Sequence, residues 1–403
     1  MDSTPLENSG PGNWLSKQLE STWNKDSTLQ QVRLIDHLIE VVRLNTPVRH
    51  SLFPVQDPNA FKFYQKQISA FWTASEIQFT DDAQHYLNLE TFLRTQGKLD
   101  PEQIKGENLS RIAQSIKSMI KKIFGAFAGT DGLVVENLAF RFMLETATLE
   151  QMMFYTIQLA IEGVHAETYS ICIDTVIADP LEKKDLFEAA KHNPFLRKIH
   201  QWIGSYSTAP IGYRLIVFIC TEGIFFPGFF GCIYWLRRFG LFPGFIFANE
   251  KIAPDEMLHQ KFGEYRYNTL PSSQRLSIEQ IHAMLNEAVE LFSQIILDLL
   301  PSNEDLLDLK RVDLINFLQH IADRILFNLN YPDLFKISCQ VLPTWLNDIA
   351  LQQKSNFYEV KVGNYHIGNI NQALSVISHQ NNSGQESDQP KRYNYDNLGE
   401  MDF

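Results

Sequence analysis

The sequence predicts an all-α protein, a bundle of long helices around a metal site. Helical periodicity dominates between about residues 55 and 355, without the sustained period-two alternation that indicates strands. A chain of 403 residues that is 44% hydrophobic can bury a sizeable core. The third observation is a Glu-x-x-His motif that recurs at Glu162–His165 and Glu256–His259, a spacing that places both side chains on one helix face.

The elements follow one another as helices along the chain. Residues 109–139 lead into Asp131, residues 133–178 read as helical, and Leu215–Leu236 is a continuous apolar stretch. After Ser277, one apolar stripe of helical period runs up to Pro301 and comprises Ile278, Ile281, Leu285, Val289, Phe292, Ile296 and Leu299. We expect a partly disordered N-terminal extension over residues 1–50, a helical domain over residues 51–355 and a flexible polar tail over residues 356–403.

Charge and cysteine content exclude several classes of function. The 35 basic and 47 acidic residues give a formal net charge of -12, which argues against a nucleic-acid surface. The N-terminus lacks the basic-then-apolar layout of a secretion signal. The four cysteines lack the close spacing that is typical of zinc sites or redox motifs, and we interpret them as the reduced thiols of an intracellular, cytoplasmic protein. They are Cys172, Cys220, Cys232 and Cys339.

The apolar stretch Leu215–Leu236 is long enough to span a membrane or to form a core helix. A charged Glu222 at its centre would cost about 2.5–3.5 kcal/mol in lipid. Pro227 and Gly228 are expected to interrupt the helix. A metal ligand explains a carboxylate in this position, so the sequence favours a buried core helix and no membrane partner.

Two more carboxylates complete a ligand set for two metal ions. Asp131 and Glu222 lie in apolar sequence about thirty residues before the two motifs. Together the six candidate ligands are Asp131, Glu162, His165, Glu222, Glu256 and His259. Their four carboxylates carry a formal charge of -4, which two divalent cations neutralise, and a salt-bridge network is disfavoured because few basic residues lie nearby. Such a set is typical of ferritin-like di-iron and di-manganese bundles, and its oxygen-rich chemistry suits iron or manganese.

A third copy of the motif provides an internal comparison. Glu279 and His282 have the same spacing, but they fall off the apolar stripe of their helix and no matching upstream carboxylate precedes them. We therefore interpret this pair as part of a solvent-exposed face.

Tyr169 lies one helical turn after His165 on the same face, which would place its phenol beside the metal ions. An isolated tyrosine at helical spacing is more often a core residue than part of a cofactor. Here the predicted apolar lining would protect an oxidised phenol from water and reductants, and it consists of Phe226, Phe230 and Ile252.

These residues and their flanking segments resemble the radical-bearing small subunit of class I ribonucleotide reductase, of the eukaryotic or viral type. The resemblance covers about residues 50–370 and the extreme C-terminus. It rests on FWTA from Phe71, TDGLVVENL from Thr130, AIEGVHAETYS from Ala160, EGIFFPGFFGCIYWL from Glu222, PGFIFANEKIAPDEMLH from Pro243, NFYEVKVGNY from Asn356 and the terminal MDF.

The resemblance implies a di-iron centre, oxo-bridged when oxidised, with manganese as the alternative metal. This centre would react with O₂ and oxidise Tyr169 to a stable radical. A separate large subunit would use the radical to reduce ribonucleotides to deoxyribonucleotides for DNA synthesis. The radical equivalent would travel through His165, Asp255, Trp72 and then Tyr365 in the tail.

Partners and local departures from the family pattern follow from the same resemblance. The peptide Met401, Asp402 and Phe403 would dock on the large subunit, and two identical chains would form a dimer. The chain carries an extra segment near residues 89–115, expected to be a surface insertion. Pro254 stands where the family usually has Arg, and a proline there is expected to bend the turn that carries Asp255.

Two other functions stay open on the sequence. One is a paralogue without a radical that stabilises or regulates an active small subunit, which Pro254 and the insertion would suit. The other is a different ferritin-like oxidase or iron store.

Overall fold

The computed structural model describes residues 51–95, 108–134, 142–143, 145–146, 148–300 and 306–346. For Asn108, Ala190 and residues 129–134 it describes the backbone alone. The predicted N-terminal extension and C-terminal tail lie outside these residues, so their boundaries stay predictions.

The described residues form helices and contain no β-strand, which confirms the all-α prediction for this part of the chain. The α-helices are α1 (Pro58–Ser69), α2 (Thr80–Leu87), α3 (Leu89–Thr95), α4 (Asn108–Val134), α5 (Leu149–Val176), α6 (Pro180–Phe187), α7 (Ala189–His192), α8 (Pro194–Ser205), α9 (Ile211–Cys220), α10 (Phe226–Arg237), α11 (Pro243–Asn268), α12 (Ile278–Leu299) and α13 (Arg311–Asn328). Helix α5 packs against α1, α4 and α11, while α11 also packs against α9 and α10. These contacts bring the predicted metal-binding helices together.

The apolar stretch is a buried core helix. Its most apolar window is entirely buried within the protein, as the sequence predicts. The expected interruption at Pro227 and Gly228 is wrong, because α9 continues into α10 through one wider π-helical turn, Thr221–Phe225. Pro227 stands at the start of α10, directly after this wider turn, and removes one backbone hydrogen bond from the continuous helix. The π turn carries Glu222.

Helix α12 agrees with its predicted stripe except at its first residue. Ser277 caps the helix, since its hydroxyl accepts from the Gln280 backbone N–H while the Gln280 side chain accepts from the Ser277 N–H. The stripe is buried from Ile281 onward, but Ile278 is 46% exposed. Ile278 is the first helical residue and lies before the turn at which α12 meets the core.

The start of α11 is anchored by α2. The Asp82 carboxylate accepts from the backbone N–H groups of Gly244 and Phe245, at 2.9 and 2.7 Å. Gly244 is required there, because a Cβ would lie 2.2 Å from the Gln78 carbonyl oxygen. Burial raises the pKa of Asp82 to about 6, although these hydrogen bonds oppose the shift. This contact fixes the position of the helix that carries Glu256 and His259.

The ends of the predicted insertion are helical and packed. Leu89 and Leu93 of α3 are buried, and so is Leu109 in the first turn of α4. The middle of the segment, residues 96–107, lies outside the described residues, and a surface insertion stays a prediction for it.

Candidate metal centre

Helices α5 and α11 each supply one Glu-x-x-His pair to the same buried space. Glu162, His165, Glu256 and His259 are all fully or almost fully buried. Glu162 directs Oε2 to His165 Nδ1 at 3.3 Å and Oε1 to His259 Nδ1 at 3.0 Å. Glu256 does the same, with Oε1 at 3.1 Å from His165 Nδ1 and Oε2 at 3.2 Å from His259 Nδ1. Each carboxylate therefore faces both imidazoles, the arrangement of a bridging ligand between two ions.

Glu222 joins this group from the π turn. One ligand atom from each of Glu162, Glu222, Glu256 and His259 lies within 4.8 Å of all the others. Gln158, one turn before Glu162, places its Nε2 at 3.4 Å from Glu222 Oε1 and 3.5 Å from Glu162 Oε1. Because π turns are rare and recur at functional sites, the wider turn is consistent with Glu222 as a ligand.

The sixth predicted ligand, Asp131, lies on α4, which packs against α5. Its side chain is outside the described residues, so its role as a ligand stays a prediction.

The charges of the site favour a bound cation. Burial alone would lower the pKa of His259, but the carboxylates of Glu162 and Glu256 raise it to about 9. The pKa of His165 is likewise raised well above its ordinary value by the carboxylates around it, against the effect of burial. Burial would raise the pKa of Glu256, yet the two imidazoles hold it well below its ordinary range. Buried carboxylates in this density demand positive charge, which bound metal ions would supply.

Asp255 orients the ring of His165. Its Oδ2 lies 3.1 Å from His165 Nε2 and accepts from Trp72 Nε1 at 2.8 Å, while its Oδ1 accepts from Gln67 Nε2 at 2.7 Å. With Nε2 bound to this carboxylate, Nδ1 is the nitrogen available to a metal ion. The bend expected at Pro254 does not separate these groups: α11 runs through the proline from Pro243 to Asn268, and Asp255 keeps all three contacts.

Tyr169 lies among aromatic rings one turn beyond His165. Its ring stacks on Phe127, with centroids 4.4 Å apart and planes at 10°. The predicted lining residues Phe226 and Phe230 are buried and contact the same Phe127 ring, at centroid distances of 6.0 and 6.3 Å. Ile252, the third predicted lining residue, is buried on α11. The Tyr169 hydroxyl donates to Asn249 Oδ1 at 3.0 Å.

Sequence reasoning missed four residues that contact the ligands, Asp255 or Tyr169. They are Gln67, Phe127, Gln158 and Asn249. A usable signal existed for three of them. Gln158 lies four residues before Glu162, Phe127 lies four before the predicted ligand Asp131, and Asn249 lies seven before Glu256, each on the ligand face of its helix. Gln67 carries no such signal in the sequence.

The remaining predicted site residues are placed as follows. The third motif is a surface pair: Glu279 is exposed, and His282 is bound through Nε2 to the Pro332 carbonyl oxygen at 2.8 Å. Tyr365 and the terminal Met401, Asp402 and Phe403 lie outside the described residues.

Comparison with known proteins finds relatives that are described as ribonucleotide reductase proteins. The family model described as ribonucleotide reductase, small chain, matches residues 107–343. The ribonucleoside-diphosphate reductase small chain of Nicotiana tabacum is 34% identical over 352 residues, covering 86% of this chain and 95% of that protein. Among solved structures, the dimanganese(II)-NrdF of Streptococcus sanguinis has a TM-score of 0.62 at 20% identity, covering 75% of this chain and 99% of that one. The Rnr4 homodimer from Saccharomyces cerevisiae has a TM-score of 0.60 at 20% identity, covering 81% of this chain and 94% of that one.

Proposed function

This chain belongs to the ribonucleotide reductase small-chain family, and on that premise we infer that it binds two metal ions and stores an oxidising radical on Tyr169. It is the small subunit of a ribonucleoside-diphosphate reductase. When bound, the dimetal centre would supply the one-electron oxidation of Tyr169, with O₂ as the oxidant.

The observation that carries the proposal is that the carboxylates of Glu162 and Glu256 both lie between the same two imidazoles. Each presents one oxygen to His165 and the other to His259. Two ions would therefore share both carboxylates, and each would keep one imidazole. Glu222 lies in the group that contains His259 and would complete that ion's ligands. Asp131, on α4, is the proposed counterpart for the other ion.

The residues around the ligands have three tasks in this function. Asp255 holds His165 in the tautomer that leaves Nδ1 free for the metal. Trp72, bonded to the same carboxylate, extends the contact from His165 toward the surface and is the proposed route for the radical equivalent. The Phe127, Phe226 and Phe230 rings exclude water from the Tyr169 side of the site.

Iron is the proposed metal, and manganese is the alternative. Carboxylates with two imidazoles suit either ion, and the similar NrdF structure is a dimanganese(II) protein. The proposed partners are a large subunit, bound through Met401, Asp402 and Phe403, and a second copy of this chain, as in the Rnr4 homodimer. We place the protein in the cytoplasm.

Electron paramagnetic resonance tests the function directly. Apoprotein loaded with Fe(II) and exposed to O₂ should give a tyrosyl radical signal, and Tyr169→Phe should bind the same amount of iron without that signal. Ribonucleotide reduction with a large subunit should be lost in parallel. A signal that survives Tyr169→Phe would assign the radical to another residue.

The third motif offers a matched control for the metal ligands. His259→Ala should lose metal because it removes a ligand from the buried group. His282→Ala makes the same change in the same motif at the surface and should leave metal content unchanged. Equal loss in both variants would show that the buried pair is not the site.

A paralogue without a radical is the second candidate function, and Pro254 is the observation that favours it. The proline removes one backbone hydrogen bond from α11 in the turn before Glu256. A wild-type protein that binds no iron or manganese after reconstitution would establish this candidate instead.

A further inference from the structure

Asn249 is a buried amide on α11 with both ends of its side chain engaged. Its Oδ1 accepts from the Tyr169 hydroxyl at 3.0 Å, and its Nδ2 donates to the Phe245 carbonyl oxygen at 2.8 Å. Its backbone carbonyl accepts from the Tyr234 hydroxyl at 3.1 Å. The side chain is completely buried. Neither the ligand set nor the radical route described above uses this residue.

The orientation of the amide follows from its partners. If the Oδ1 and Nδ2 atoms were exchanged, an acceptor would face the Phe245 carbonyl oxygen, and that contact is repulsive. Phe245 is itself fixed, because its N–H donates to Asp82 at the anchored start of α11. Asn249 therefore presents an acceptor, and not a donor, to Tyr169.

We propose that Asn249 is a positioning residue that stabilises the reduced phenol of Tyr169 relative to its radical. The proposal rests on the proposed function, in which the oxidised dimetal centre is the oxidant. When bound, the oxidised dimetal centre would accept one electron from Tyr169, the phenolic O–H bond would break, and the proton would pass to a carboxylate of the ligand set. The amide oxygen of Asn249 is too weak a base to take this proton.

The hydrogen bond exists in only one of the two redox states. The reduced phenol donates to Asn249 Oδ1, whereas the phenoxyl oxygen has no proton to donate and faces the same lone pairs. The amide cannot compensate by turning, since Phe245 holds its Nδ2. Asn249 thus raises the reduction potential of Tyr169, which makes the stored radical easier to discharge toward the partner subunit. One neutral hydrogen bond corresponds to about a threefold to tenfold change in the radical-to-phenol ratio.

Two substitutions separate the acceptor from the shape of the side chain. Asn249→Leu is similar in size and removes the acceptor. In Asn249→Asp the buried acid should be protonated, so that its hydroxyl donates to the Phe245 carbonyl oxygen in place of Nδ2 while its other oxygen still accepts from Tyr169. Tyr234→Phe is the matched control, because it removes the α10 hydroxyl that donates to the Asn249 backbone carbonyl and leaves the Asn249 side chain and Tyr169 unchanged.

The first readout requires no metal. Ultraviolet resonance Raman difference spectra, apoprotein minus its Tyr169→Phe variant, report whether the phenol is a hydrogen-bond donor. The donor signature should be present in the wild type, Asn249→Asp and Tyr234→Phe, and it should shift toward a weaker hydrogen bond in Asn249→Leu. A wild type without the donor signature, or an unchanged signature in Asn249→Leu, would overturn the proposal even if Asn249→Leu is less stable.

The second readout uses the iron-loaded, O₂-treated protein equilibrated with a one-electron phenolic mediator. Electron paramagnetic resonance then measures the fraction of Tyr169 present as radical at a fixed ratio of oxidised to reduced mediator. The radical-to-phenol ratio should be about threefold to tenfold higher in Asn249→Leu than in the wild type. An equal or lower ratio overturns this proposal alone. A wild type without any radical overturns the proposed function and this proposal with it.

Discussion

Replacing Asp255 tests how strongly the protein around the ligands controls the metal centre. The carboxylate receives three contacts: Trp72 and His165 at Oδ2 and Gln67 at Oδ1. Asp255→Ala removes all three. His165 then loses the partner that directs its Nδ1 toward Glu162, and two buried N–H groups lose their acceptor.

The expected losses follow from these contacts. Removing a hydrogen-bonded carboxylate behind a metal-ligating histidine lowers metal affinity by about 10- to 100-fold, or about 1.4–2.7 kcal/mol. Each buried N–H of Trp72 and Gln67 left without an acceptor costs about 1–3 kcal/mol of folding free energy. Asp255→Ala should therefore weaken metal binding by close to 100-fold and destabilise the apoprotein by at least about 2 kcal/mol.

Asp255→Asn should have a smaller effect because Gln67 can adjust. The new amide oxygen can serve Trp72 and His165, leaving its NH₂ group toward Gln67. Gln67 Oε1 has no hydrogen-bond partner among the described residues, so a rotated Gln67 amide accepts from that NH₂. The charge is lost but the neutral hydrogen bonds remain, and the loss of metal affinity should be about tenfold.

Mn(II) titration of the apoproteins, monitored by the signal of free Mn(II), measures the affinities, and urea unfolding measures the stabilities. The double variant Asp255→Asn, Gln67→Leu is the control, because it removes the compensating acceptor and should approach the alanine variant. Equal affinities in the wild type and Asp255→Ala would refute the idea that Asp255 orients His165. Equal losses in the Ala and Asn variants would refute compensation by Gln67.

Three further predictions concern packing, pH and thiol accessibility. Gly228→Ala sets a Cβ 2.3 Å from Phe292 Cε1 and should lower the free energy of unfolding by about 1–3 kcal/mol. In contrast, Gly163→Ala meets no described atom within 4 Å and should raise the free energy of unfolding by about 0.5–1 kcal/mol. Urea unfolding measures both changes, and equal effects would contradict the packing. The folded chain binds a proton at Asp82 more tightly than the unfolded chain, because burial raises the pKa of Asp82 from 3.8 to about 6. Urea unfolding should therefore show the wild type gaining stability relative to Asp82→Asn as the pH falls from about 7 to about 4.5. A stability difference that does not change with pH would contradict this. Ellman's reagent should modify only the exposed Cys339 in the folded protein, because the other three thiols are buried and burial raises their pKa. After unfolding, all 4 cysteines should react. Rapid reaction of a second thiol in the folded state would contradict this prediction.

The sequence predicts the two buried Glu-x-x-His pairs better than it predicts the contacts around them. Glu162 with His165 and Glu256 with His259 are recognisable because helical geometry places residues three apart on one face, whatever the tertiary structure. The contact between Trp72 and Asp255 joins residues 183 positions apart and depends on how α11 packs beside the segment that follows α1. No local pattern specifies that packing, so without a family resemblance the partner of Asp255 would not be predictable.

The π turn at Glu222 illustrates a second limit. A proline and glycine five and six residues after Glu222 predict a broken helix when only α-helical hydrogen bonding is considered. The chain instead widens one turn, Thr221–Phe225, and resumes as α10 with Pro227 in its first turn. The helix is retained because its whole apolar surface is buried, and burial of that surface outweighs the hydrogen bond that the proline removes.

Helix α11 links Glu256 and His259 to Tyr169 through its register. Asn249 and Glu256 are seven residues apart, two turns on the same face, so the Asn249 contact with Tyr169 and the Glu256 contacts with both imidazoles are set by one rigid element. Asp255, the residue before Glu256, projects toward Trp72. The position of α11 is in turn fixed at its start, where Asp82 binds two of its free N–H groups. A shift of this helix along its axis would therefore disturb the Tyr169 hydrogen bond, the Glu256 contacts with the two imidazoles and the Trp72 contact together. This explains why the Asp82 carboxylate is buried at the start of α11 despite its raised pKa.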